Sequence, residues 1–154
     1  MTSNQIAELA EVRGVLCAFE WFNSKVNYSP TFALEELPKR PTLQEALQTH
    51  FEGNALEIET NPVVDWIHAT RALFSKWLFE YRDLIAPDAF GCVNSRQAES
   101  KLVEEIVRKM ERAIQPTAAW TVKVKTRQLY ELFWDDLAIE SDQARYLLHL
   151  GWTD

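Results

Sequence analysis

The sequence predicts one mainly α domain spanning residues 1–154, a bundle of four to six helices with room for a small two-stranded β ribbon pairing 56–60 with 120–126. Three observations predict it. Helix-capping patterns recur along the chain. Apolar residues return at helical spacing over long windows. Only four glycines occur in 154 residues, few for the tight turns of an all-β chain. The six tryptophans are expected mostly in the core, where their area dominates packing.

The first helix is read from the capping box Thr2–Gln5 to about Phe22. Its apolar residues leave only a narrow polar strip at Arg13 and Glu20, which predicts burial on most sides, Cys17 included. Gly14 in its middle costs about 1 kcal/mol of helix propensity and suggests the close approach of another helix. Ser29-Pro30 reads as the start of a short helix through "TFALEEL". Thr42 and Glu45 form a second capping box, and Gly53 is a natural stop.

Asn61-Pro62 opens the longest predicted helix, ending near Ala86 before Pro87. At 100° per residue its apolar side chains, Val63 to Ile85, fall within an arc of about 140°. Phe79 falls on the opposite, polar side with Arg71 and Arg82. Asn94 and Gln97 cap the next helix, which ends at Gln115. In the last region Tyr130, Phe133, Trp134 and Leu137 share a helical face. Ser141 or Asp142 is expected to cap a final helix that Gly151 ends.

Two stretches depart from helical spacing. "LEIET" (56–60) and "WTVKVKT" (120–126) alternate apolar and polar residues. Glu57 and Glu59 in one and Lys123 and Lys125 in the other are complementary. Such cross-strand pairs contribute roughly 0.2–1 kcal/mol each.

Net charge is −7. Residues 128–154 hold six acids against the single base Arg145, so most of the imbalance lies there. Phosphate affinity rests on Lys and Arg, so direct nucleic-acid binding is not expected, whereas a basic protein partner is. The N-terminus lacks the basic and apolar regions of a signal peptide. No apolar run is long enough to span a membrane. The chain therefore reads as cytoplasmic.

No cofactor and no metal site is expected. A di-iron carboxylate bundle needs Glu-x-x-His on two helices, and the chain offers only Asp65-x-x-His68. Cys92 has no nearby base to make it a nucleophile. The candidate partner-binding residues are Glu131, Asp135 and Asp136 in the acidic tail, and Phe79 flanked by Arg71 and Arg82. The acidic surface requires those carboxylates to be exposed and unpaired by internal Lys or Arg.

Arg145 and His149 are four apart and would project from one side of a helix. The pair resembles the motif of the HEPN family of small helical ribonucleases and toxins, in which an arginine and a histidine are separated by four to six residues; here three intervene. The resemblance covers these five residues and the helical class. It implies a ribonuclease in which Arg145 and His149 meet across a homodimer cleft. The favoured expectation is a non-enzymatic acidic protein acting by protein–protein contact. Its sharper form is an inhibitor or immunity-type protein for a basic nucleic-acid-handling partner. The alternatives are the HEPN-like ribonuclease and a structural, oligomerising subunit.

Overall fold

The structure is a computed structural model and describes residues 1–24, 29–80, 96–128 and 130–153. Along the chain the elements are α1 (Ser3–Asn23), β1 (Ser29–Glu36), α2 (Leu43–His50), β2 (Ala55–Pro62), α3 (Trp66–Phe74) continued by a π-helical turn (Ser75–Glu80), α4 (Arg96–Ile114), β3 (Ala118–Thr126), β4 (Phe133–Glu140) and β5 (Arg145–Thr153). The five strands form one antiparallel sheet in the order β1-β5-β4-β3-β2. The fold is therefore α+β, which corrects the expected mainly α bundle.

The expected pairing of 56–60 with 120–126 is present, with Glu57 opposite Lys125 and Glu59 opposite Lys123. It forms one margin of a larger sheet and not a separate ribbon. Three predicted helices are strands. "TFALEEL" contributes to β1, where Pro30, Phe32 and Leu34 alternate as buried positions. The two expected C-terminal helices are β4 and β5. Those strands lie inside the sheet, and β5 and the second half of β4 are covered on both faces. Every residue from Tyr146 to Trp152 is buried. A strand covered on both faces loses its polar-apolar alternation and reads as a continuous apolar run.

The capping boxes at Thr2–Gln5 and Thr42–Glu45 are both formed. Gly53 follows α2 with φ of +79°, a conformation that favours glycine. The long helix predicted from Asn61 starts later, at Trp66. Asn61 and Pro62 finish β2, and Asp65 accepts from the His68 N–H to cap α3. Its predicted end at Ala86, together with Arg82, Cys92 and the Asn94 cap, lies outside the described residues.

α1, α3 and α4 cover one face of the sheet, packing on Phe32, Leu34, Leu137, Ile139, Tyr146, Leu148 and Leu150. α2 covers the other, with Ala46, Leu47 and Phe51 against Val122, Val124, Ala138 and Leu147. Phe79 belongs to the first core. It is buried and meets Phe19 edge-on at 5.4 Å. The helical projection put it on the polar side, but α1 covers that side, and the π-helical turn changes the angular step of the residues leading to it.

α1 is less enclosed than its apolar content predicted. Cys17 and Gly14 are exposed, as are Ile6 and Trp21. Among the described residues a Cβ at Gly14 would meet nothing within 4 Å, so no described helix approaches there. The helix faces the core through Leu9, Val12 and Leu16. It also occupies the free edge of β1. Glu20 Oε1 accepts from the Phe32 N–H at 2.8 Å, and Arg13 Nε donates to the Leu34 carbonyl at 2.8 Å. On the opposite margin Gln44 Nε2 donates to the Ile58 carbonyl at 3.3 Å. Helix side chains thus engage backbone groups on both outer strands, which disfavours pairing with another chain. Among the described residues no helix is long and apolar enough to cross a membrane.

Candidate functional site

The β4–β5 register places Asp136 opposite His149. Period-two alternation turns Trp134, Asp136 and Ala138 of β4, and Leu147, His149 and Gly151 of β5, toward the α2 face. Asp136 is 4% exposed and His149 7%. His149 Nδ1 lies 2.7 Å from Asp136 Oδ1, and its Nε2 lies 3.2 Å from Glu131 Oε1. The Tyr130 hydroxyl stands 3.1 Å from Nδ1. An imidazole therefore bridges two carboxylates from opposite ends of its ring.

Glu131 reaches this position from the segment preceding β4. The Leu132 N–H donates to the Trp152 carbonyl at 2.9 Å, which ties that segment to the end of β5. Gly151 makes room. A Cβ there would collide with the Glu131 carboxylate and stand 3.0 Å from His149 Nε2. Tyr130 packs edge-on against Phe51 at 5.4 Å and Trp134 at 5.3 Å, which fixes its ring.

Burial alone would lower the imidazole pKa. The hydrogen bonds to Asp136 and Glu131, and their charge, outweigh it and hold His149 up at about 9. Burial pushes the Asp136 carboxyl upward against the opposing bond from His149. Burial, then the neighbouring carboxylates, pushes the Tyr130 phenol upward. The cluster as a whole retains protons, because buried carboxylates outnumber the buried base. As an imidazolium, His149 uses both N–H groups as donors and offers no lone pair to a proton or a metal. Its carboxylates flank the ring and do not converge on one point. Among the described residues no set of three His, Cys, Asp or Glu side chains is placed to hold a metal ion.

The cluster opens on a cavity of about 210 Å³ between β1, the end of α2 and β5, lined in part by Thr31, Glu35, His50, Tyr130, Glu131 and His149. Glu35 and His50 approach to 3.8 Å at its rim. Glu131 Oε2 and Asp136 Oδ2 are buried and have no hydrogen-bond partner among the described residues.

The acidic residues expected to form an exposed surface are thus divided. Glu131 and Asp136 turn inward onto His149. Asp135, one residue before Asp136 in the strand, projects to the opposite face. There its Oδ2 accepts from Lys76 Nζ at 2.6 Å and Trp77 Nε1 at 2.7 Å. The exposed acidic surface is corrected on these grounds, since two of its members are buried and the third is paired to a lysine. Arg71 is exposed beside Glu104 at 3.2 Å, between α3 and α4. It forms no common surface with Phe79, which is core.

Arg145 and His149 lie on the same face of a strand, about 13 Å apart along it. Arg145 binds Glu140 at 2.6 Å and the Arg40 carbonyl at 2.7 Å. The helical setting that the HEPN resemblance implies is absent, because this stretch is β5. No known family, curated protein or solved structure matches the chain.

Sequence reasoning singled out Glu131, Asp136 and His149 but missed that they meet. It missed Tyr130, Glu35, His50 and Gly151 as neighbours. One signal was available. "IESDQAR" reads as a turn, and the structure forms it: Ser141 Oγ accepts from the Ala144 N–H at 3.2 Å, with Glu140 and Arg145 paired beside it. A hairpin centred there places Asp136 opposite His149.

Proposed function

We propose that this chain acts by protein–protein contact, without catalysis, and that its partner is basic. One observation carries the reading: a cavity lined by carboxylates, with the buried Glu131 in its wall. Its volume lies below the roughly 300–1,000 Å³ of pockets that enclose drug-sized ligands. It suits the end of a side chain better than a whole substrate. The net charge of −7 favours encounter with a positively charged surface. His149, engaged at both nitrogens, is poorly suited to act as a general base. The proposal includes a cytoplasmic location.

The test is affinity capture from native extract at low and high salt, using wild-type, Glu35→Gln and Glu131→Gln baits. A basic protein held at low salt, released by high salt and weakened by both variants is the expected result. Partners indifferent to salt and to both variants would overturn the reading. So would RNA cleavage by the purified chain.

A further inference from the structure

We propose that Glu131 is a proton-controlled latch: it holds the stretch from Tyr130 to Leu132 against β5 while His149 carries two ring protons, and frees that stretch when one of them leaves. The device needs no partner and goes beyond the reading above.

The first argument is a count of donors. Asp136 Oδ1 and the Tyr130 hydroxyl both stand at Nδ1 of the ring, and Glu131 Oε1 stands at Nε2. The remaining titratable groups facing the ring are Glu35 of β1 and His50 at the end of α2, across the cavity. The register partner of His149 in β1 is Ala33, and Asp136 faces Val122 of β3, so neither neighbouring strand adds a charge at that level. An imidazolium has two N–H donors and a neutral imidazole has one. A neutral ring therefore serves one carboxylate and turns a lone pair toward the other.

The second argument is what holds each carboxylate. Asp136 sits in β4, paired on both sides, and cannot withdraw without breaking two ladders. Glu131 lies outside the sheet. Among the described residues neither Tyr130 nor Glu131 has a backbone hydrogen bond. The anchors on either side are the Gln128 N–H on Asn54 Oδ1 at 3.1 Å and the Leu132 N–H on the Trp152 carbonyl at 2.9 Å. Glu131 Oε2 is buried without a donor, so among the described residues its one donor is the His149 ring. Once that donor is lost, a buried carboxylate is left with nothing to answer its charge, and the mobile partner gives way. Opening returns the ring from about 9 toward its ordinary 6.5, so the open form binds fewer protons and rising pH favours it. Gly151 is the seat of the latch. A Cβ there would fall on the Glu131 carboxylate and exclude the closed form at any pH.

Hydrogen exchange of the Leu132 amide in the full chain, expressed as a protection factor to remove the intrinsic effect of pH, reads the opening at pH 6.5 and pH 8.5. Protection should fall about tenfold over that range. At both pH values it should stay at least about tenfold below that of Leu148 in the middle of β5, because the stretch opens while the sheet stays paired. Glu131→Gln keeps the shape, and its amide can accept from a ring N–H or donate to a bare nitrogen, so its Leu132 protection should not change with pH. Gly151→Ala should give low protection at both pH values. A wild-type protection that does not fall, a Glu131→Gln slope equal to that of wild type, or Leu132 protection matching Leu148 overturns the latch. Glu131→Gln decides the matter even where Gly151→Ala does not fold.

Discussion

Asp136 and His149 face each other across β4 and β5, carboxylate oxygen to imidazole nitrogen at 2.7 Å, both almost wholly buried. Glu131 closes the other end of the ring. The arrangement places one base between two acids, all three buried. Its energetics therefore depend on how many protons the cluster holds.

The first consequence is a pH dependence of stability. The folded imidazole keeps its proton to about pH 9, against about 6.5 in an unfolded chain. The native state binds the proton more tightly, so this contribution is complete below about pH 6.5 and is lost as pH rises through 9. The raised Asp136 acts in the same direction. Denaturant unfolding between pH 6 and pH 9.5 should show stability falling by up to about 3 kcal/mol as pH rises. His149→Asn should flatten that slope.

Removing the base should cost more than removing one acid. His149→Gln leaves Asp136 and Glu131 buried without their cation, and an uncompensated buried charge costs about 3–5 kcal/mol. Adding Glu131→Gln to that variant removes one stranded charge and should recover part of the loss. Urea midpoints of the single and double variants check the sign of this coupling.

Gly151 is required by Glu131 and not by a turn. Gly151→Ala places a methyl group where the Glu131 carboxylate lies. Forcing the two apart should destabilise the fold by about 1–3 kcal/mol. It should also lower the His149 pKa by removing one of its two supporting carboxylates. Gly14 is the contrasting case. It is exposed in the middle of α1 with open space at its Cβ, so Gly14→Ala should stabilise by up to about 1 kcal/mol in thermal unfolding.

Phe79 separates the observed fold from the expected bundle. As an exposed anchor, its truncation would leave stability unchanged. As a core residue against Phe19, Phe79→Ala should cost about 3–5 kcal/mol, measurable by chemical denaturation.

The helices were legible where local chemistry decides them. The capping boxes of α1 and α2 rest on residues three apart, and the stop of α4 was read from Gln115 before Pro116. The β2–β3 pairing was legible because Glu57 and Glu59 answer Lys125 and Lys123 on a half-exposed margin, where alternation survives. β4 and β5 were not, since burial on both faces removes the alternation that marks a strand. That error carried into the site. A helix projection gives Asp136 and His149 no defined relation, whereas a hairpin makes them neighbours. The chemistry-bearing residues were visible, but which of them meet depends on sheet register, a non-local property. Phe79 was misplaced for a similar reason, because the element covering it is distant in sequence.

The most direct test of the buried cluster is a pH titration of the His149 ring nitrogens by 15N NMR in the wild-type chain. Both nitrogens should report N–H at pH 7, with deprotonation deferred to about pH 9. A ring that titrates near 6.5, or that shows a single N–H at neutral pH, would contradict an imidazolium held between the Asp136 and Glu131 carboxyl groups.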